Sequence, residues 1–151
     1  MREEDKEEKK EFFEFLARNV VKLPAELEAL ATRVVDAMVE VHRHLGPGHP
    51  EKVYENALCH EFELRGISFE RQFPVKVFYK GLNVGDSFVD ILVERKIVIE
   101  LKAIEQLSTT HRAQLGSYLT ALDLELGFLA NFNVALMKDG IKRVVRTKRL
   151  S

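Results

Sequence analysis

The chain has 151 residues, 46% of them apolar, and a formal net charge of −1, which is material for one domain with a real core and no overall electrostatic pull toward nucleic acid or membranes. A single cysteine, Cys59, excludes an internal disulfide. No run of about 18 apolar residues reads as a transmembrane helix, and the charged N-terminal stretch lacks an apolar signal-peptide core, so a cytoplasmic location is the default expectation.

The charge is unevenly spread. The first fourteen residues carry seven acids and four bases. A helix is predicted over residues 2–22, with Phe12, Phe13, Leu16 and Val20 on one side and a solvated charge run at its start. Pro24 suits the first turn of a second helix. Leu27, Leu30, Val34, Met38, Val41 and Leu45 then follow at three- and four-residue steps, the spacing of a buried stripe. Gly46-Pro47-Gly48 ends it. No Gly-Lys-Ser/Thr follows, so this turn is not a phosphate loop; it sets the entry angle of the next helix. Pro50 opens that helix, Glu51 lies in its first turn where the dipole favours an anion, and Gly66 suits its end. Along it run Tyr54, Ala57, Leu58 and Phe62.

A β region follows. Phe69 to Phe73 reads as a short edge strand interrupted by Pro74. Val75 to Tyr79 alternates and turns at Lys80-Gly81, and Phe88 to Val93 and Ile97 to Lys102 are rich in β-branched residues. With Glu94-Arg95-Lys96 as the loop, Val93 pairs with Ile97 and Asp90 stands opposite Glu100. Period-2 alternation puts Lys102 on the face of Glu100. Ser108 can cap a helix from about Thr109 to Leu124, with His111, Gln114 and Tyr118 on one face and Leu115, Leu119 and Leu122 on the other. Leu126 to Phe132 reads as a buried strand, Asp139-Gly140 as a turn, and Ile141 to Arg146 as a last strand. The final fourteen residues carry six bases and one acid, a solubilising tail or a phosphate-contacting surface. No internal repeat appears, and no linker splits the domain.

Asp90, Glu100 and Lys102 sit among residues that ought to be buried, where an unpaired charge is costly. A structural ion-pair cluster is one reading. The other is a metal site: the two acids are hard oxygen ligands suited to Mg2+ or Mn2+, and Lys102 can orient a water and stabilise charge on a phosphate. Glu51 and Glu55, one helical turn apart, can each add a carboxylate, Glu51 by its place being the better placed. His42, His44, His49 and His60 cluster in sequence without a zinc spacing or a cysteine pair. His111 shares a helix face with Gln114, which allows a supporting or phosphate-contacting role. Tyr54 and Tyr118 can equally be core aromatics with a satisfied hydroxyl.

The order helix, hairpins carrying D…E-x-K, helix, strand resembles the PD-(D/E)XK nuclease superfamily, and within it the GxxExxY family. The family's name motif stands as Gly48-His-Pro-Glu51-Lys-Val-Tyr54. The match continues through Asp90, Glu100-Leu101-Lys102, Gln114-x-x-x-Tyr118, Asn131-Phe-Asn133 and Lys138-Asp-Gly140, over roughly residues 30 to 147. It implies an α/β restriction-endonuclease-like core, a mixed sheet flanked by helices, occupying residues 26–151, with residues 1–25 as an extra N-terminal helix. It implies Mg2+- or Mn2+-dependent hydrolysis of phosphodiester bonds, DNA being the first expectation. Asp90, Glu100, Lys102, Glu51, Gln114 and Tyr118 would be the catalytic residues, and Asp90, Glu100, the Leu101 carbonyl, Glu51 and Glu55 the metal ligands. The rival readings are a catalytically silent module that binds nucleic acid or a protein, and a homodimer formed through the N-terminal helix or a sheet edge.

Overall fold

In the computed structural model the apolar stripe from Leu27 to Leu45 is a helix whose Leu27, Leu30, Val34, Met38 and Val41 are buried. The structure describes residues 2–18 and 23–146, the side chains of residues 12–18 excepted. The elements in chain order are α1 (Glu3–Arg18), α2 (Ala25–Leu45), α3 (Glu51–Leu64), β1 (Phe69–Tyr79), β2 (Leu82–Val93), β3 (Ile97–Lys102), α4 (Thr109–Leu122), β4 (Leu126–Asn131) and β5 (Ile141–Val145), with one 3-10 turn at Met137–Asp139.

The strands form one mixed sheet in sequential order, β1-β2-β3-β4-β5. Among the described residues only the β3–β4 pair is parallel, and α4 supplies the crossover that a parallel pair needs. Alternation along the strands sends side chains to two cores. On one face Ile97, Ile99, Leu101, Leu126, Phe128 and Ala130 pack with α2 and α3. On the other Val98, Leu129 and Val144 pack with Leu115 and Leu119 of α4. Ser108 caps α4 as expected, with a refinement: its N–H donates to His111 Nδ1 at 3.0 Å while its hydroxyl accepts from the His111 N–H.

Two expectations for the β region are corrected. Pro74 does not interrupt β1, which runs unbroken from Phe69 to Tyr79 with Pro74 paired to Phe88. An edge strand needs its ladder on one side only, so a residue without an N–H is tolerated there. And β2 starts at Leu82, not Phe88. Its first half holds Asn83, Gly85 and Asp86, poor strand formers that are held by pairing with β1 across a two-residue turn. Lys80 and Gly81 both have positive φ, 47° and 83°, as a type I′ hairpin requires.

The α1 helix is tied to the body by Lys9–Asp36 at 2.5 Å and Glu11–Lys138 at 3.6 Å. Of the expected stripe, Phe12, Phe13 and Leu16 lie on α1 but their side chains are outside what the structure describes, and Val20 lies outside the described residues, as do Lys148 and Arg149. Of the remaining C-terminal bases, Arg143 pairs with Glu28 through both terminal guanidinium nitrogens, and Arg146 bonds Asp123 at 2.7 Å and the Leu124 carbonyl at 2.8 Å. These two bases serve the fold. Among the described residues no helix is long and apolar enough to cross a membrane.

Candidate active site

The antiparallel β2–β3 ladder runs through Val93 with Ile97, Leu92 with Val98 and Ile91 with Ile99. The rung beyond would oppose Asp90 to Glu100. There the side chains take over the pairing. The Asp90 N–H donates to Glu100 Oε1 at 2.9 Å, and the Leu101 N–H donates to Asp90 Oδ2 at 2.8 Å. Each carboxylate is thus fixed by an amide of the other strand, which leaves one oxygen of each without a main-chain donor. Glu100 and Lys102 project from the face opposite Ile99 and Leu101, whose side chains are in the α2/α3 core.

The third acid arrives from α3. Gly48 has a φ of 104°, a conformation suited to glycine, and Pro50 leads directly into Glu51, the first residue of the helix. Tyr54 secures this turn. Its hydroxyl donates to the Gly46 carbonyl at 2.6 Å and accepts from the His49 N–H at 3.1 Å, and its ring stacks on Phe132 at 4.6 Å. Tyr54 is therefore a core aromatic with a satisfied hydroxyl. Its contribution to the site is to hold the segment that presents Glu51.

The electrostatics tie these groups together. Glu100 is only 7% exposed, and its carboxyl is raised to about 7, first by burial and then by the charge of Asp90; the Asp90 N–H and Lys102 pull the other way, and Glu51 adds to the rise. Asp90 is raised as well, by burial first, against the Leu101 N–H that lowers it. Glu51 is raised by desolvation and then by Asp90, with Lys102 opposing. Three carboxylates within mutual reach share one ammonium. Bringing a divalent cation among them would relieve that repulsion.

Glu55 behaves differently. It is 4% exposed, and burial alone would raise it. Hydrogen bonds from Arg71 and Lys52 outweigh burial, and its carboxyl is lowered. Arg71 reaches Oε2 at 2.5 Å, Lys52 the same oxygen at 2.9 Å, and Gln72 donates to Oε1 at 3.0 Å. Both oxygens of Glu55 are already engaged by cationic or amide donors. The same Gln72 amide lies 3.5 Å from Asp90 Oδ1, so Gln72 spans the two acids.

The structure thus brings Asp90, Glu100, Leu101, Lys102 and Glu51 together. Tyr118 is half-buried on α4 and shares a 2.9 Å hydrogen bond with Ser87, three residues before Asp90. Gln114 is exposed on α4 and makes no hydrogen bond to these groups. The His111 ring is engaged by its helix cap. The histidines near the start of the chain disperse: His42 bonds the Val134 carbonyl at 2.8 Å, His44 pairs with Glu40, and His49 meets the Leu45 carbonyl.

Sequence reasoning missed two supports. Arg71 and Gln72 lie on a strand whose sequence announces nothing. Asn131, buried at the end of β4, accepts from the N–H groups of Ile104 and Asn133 and donates to the Ile104 carbonyl at 2.9 Å. With the Phe132 N–H on the Lys102 carbonyl at 3.0 Å, it clamps the backbone that carries Lys102. The quoted Asn-Phe-Asn stretch was the available signal for it.

Among the described residues no three His, Cys, Asp or Glu side chains converge into a cage that would hold a metal alone. Two carboxylates, one main-chain carbonyl and water nonetheless make a coordination that Mg2+ accepts, because it keeps several of its waters. The all-oxygen donor set fits such a cation and does not fit a thiolate-preferring one.

A family model described as the PD-(D/E)XK nuclease superfamily matches residues 28–144, from within α2 to β5. A solved structure titled "Crystal structure of SSO0001" aligns with 100% of this chain and 80% of its own at 19% identity and a TM-score of 0.41, too low to carry an argument. No curated protein matches the chain.

Proposed function

The chain belongs to the PD-(D/E)XK nuclease superfamily, and from that premise we propose that it hydrolyses phosphodiester bonds, in DNA first, with Mg2+ or Mn2+ at the Asp90–Glu100 pair. Its five-stranded mixed sheet flanked by helices agrees with the restriction-endonuclease-like fold of that superfamily. The observation that carries the proposal is the interlocked pair itself: two raised carboxylates on adjacent strands, with Lys102 two residues beyond Glu100.

In this reading the second oxygens of Asp90 and Glu100 and the Leu101 carbonyl would hold the cation, with Gln72 giving way at Asp90 Oδ1, and Glu51 would add a further carboxylate. A cation bound there would acidify a coordinated water and neutralise charge on the phosphate. Lys102 orients the water and stabilises the negative charge that builds on the phosphate oxygens. Tyr118 and Gln114 position the substrate backbone from α4. Glu55 is assigned a supporting role, holding Arg71 and Gln72 against Asp90, because its oxygens are already taken. The Gly48-x-x-Glu51-x-x-Tyr54 motif, with Tyr54 locking the turn before Glu51, supports placing the chain in the GxxExxY group.

The test is a cleavage assay on single-stranded, duplex and branched DNA and on RNA, with Mg2+ or Mn2+ and with chelator, and with Lys102→Ala as control. Metal-dependent cutting that Lys102→Ala abolishes is the expected result. Cutting that survives Lys102→Ala overturns the assignment. Nucleic-acid binding with no cutting of any substrate would make the domain a silent binding module.

A further inference from the structure

β1 and β2 both turn over at one rung. Their ladder pairs Arg71 with Ile91 and Phe73 with Val89, passing over Gln72 and Asp90 between them. On one side of that rung Arg71 reaches Glu55 on α3, and Ile91 packs with α2 and α3. On the other side Phe73 and Val89 pack with Leu115 and Leu119 of α4. Residues two apart on a regular strand share a face, so both strands exchange faces here. The exchange centres on Gln72, whose φ is 49°. A glutamine inside a strand seldom takes that conformation, which persists only where the surroundings hold it. What surrounds its side chain is two carboxylates. Gln72 Nε2 donates to Glu55 Oε1 at 3.0 Å and lies 3.5 Å from Asp90 Oδ1. Ionised carboxylates only accept, so the NH2 end of the amide is the end that faces them. The two contacts are unequal. The first is an ordinary hydrogen bond, and the second is at the long limit of one. Glu55 is itself fixed by Arg71 and Lys52, so the amide is anchored on Glu55 and leans on Asp90.

We propose that Gln72 competes with the cation for Asp90 Oδ1 and thereby sets the metal affinity of the site. This rests on the metal site proposed above. Asp90 Oδ2 is held by the Leu101 N–H, so Oδ1 is the oxygen that Asp90 can offer a cation, and it is the one that Gln72 covers. With no cation bound, the amide brings the positive end of its dipole to Asp90, where Glu100 and Glu51 supply only repulsion. When a cation binds, the amide gives up Asp90 and keeps the shorter bond to Glu55. A long contact from a neutral dipole is readily surrendered to a divalent charge. The contact with Asp90 therefore favours only the state without a cation, and whatever it contributes there is subtracted from the free energy of binding. Gln72 is on this account a positioning residue that weakens metal binding, the reverse of what a simple support of the site would do.

The test is calorimetric titration of the full chain with Mn2+ at pH 8. Gln72→Asn tolerates the positive φ well and keeps an amide, one methylene too short to span both acids. Gln72→Met keeps the length and removes the donor. Each should bind Mn2+ about fivefold more tightly than the parent, the worth of one modest hydrogen bond. Circular dichroism checks that the variants fold, and two variants of different shape keep the test open if one does not. Weaker or unchanged Mn2+ affinity in the folded variants overturns the proposal and leaves Gln72 a plain support of Glu55. Asp90→Ala separates that failure from a failure of the metal site. An Mn2+ affinity unmoved by Asp90→Ala removes the site and this proposal with it. A parent that needs Asp90 to bind Mn2+, yet gains nothing from Gln72→Asn or Gln72→Met, removes the competition alone.

Discussion

Replacing Glu100 by glutamine should stabilise the metal-free protein, and only above a definite pH. The Glu100 carboxyl rises from 4.5 to about 7 because it is buried beside Asp90. At about 1.4 kcal/mol per pH unit, that interval corresponds to about 3 kcal/mol. The sign follows from proton counting. The folded state binds the proton more tightly than the unfolded chain, so the favourable contribution is complete below pH 4.5 and is lost as pH rises through about 7. Glutamine retains the oxygen that accepts the Asp90 N–H and never ionises. In chelator, urea unfolding of parent and Glu100→Gln should therefore give similar free energies at pH 4.5. The variant should gain about 3 kcal/mol over the parent by pH 8, or about 6–12 °C in Tm for a domain of this size. Adding Mg2+ at pH 8 should stabilise the parent and not the variant, since only the carboxylate offers a charged ligand. A difference independent of pH, or a parent as stable as the variant at pH 8 in chelator, would refute the reasoning.

Other substitutions probe the supports of the site. Gly140→Ala places a Cβ 2.0 Å from the Asn131 carbonyl oxygen and should cost about 1–3 kcal/mol or more in urea unfolding, because that backbone cannot yield. Tyr54→Phe removes the bonds to the Gly46 carbonyl and the His49 N–H. It should cost about 1–3 kcal/mol and weaken Mn2+ binding, measured by calorimetry, by loosening the turn that presents Glu51. Cys59 is buried and its thiol is pushed up to about 11, chiefly by desolvation. It should resist thiol reagents at pH 8 and react fully only in denaturant, and rapid labelling of the folded protein would contradict that burial.

Much of the frame is legible from local chemistry. The three- and four-residue spacing from Leu27 to Leu45 and the Ser108 cap depend on neighbours in sequence, and both hold. The hairpin register holds because a three-residue loop and period-2 alternation leave one arrangement with the apolar set inward. The first half of β2 was not legible, since Asn83, Gly85 and Asp86 become strand only by pairing with β1. The Arg71–Gln72–Glu55 support was also hidden, because it joins residues 16 and 17 positions apart on a helix and a strand. The bond between Ser87 and Tyr118 spans 31 positions.

By itself, the sequence determined which acids and which lysine stand together and on which face, because strand alternation and a short loop are local constraints. It favoured Glu51 over Glu55 by motif position alone, the two being one turn apart on one helix and alike in type. Tertiary structure separated them, bringing Arg71, Lys52 and Gln72 onto Glu55 and leaving Glu51 facing Asp90 and Lys102. Whether a carboxylate is neutralised or held in repulsion depends on what desolvates it and what charge lies beside it. Those neighbours come from elements distant in the chain, and only the folded chain brings them together.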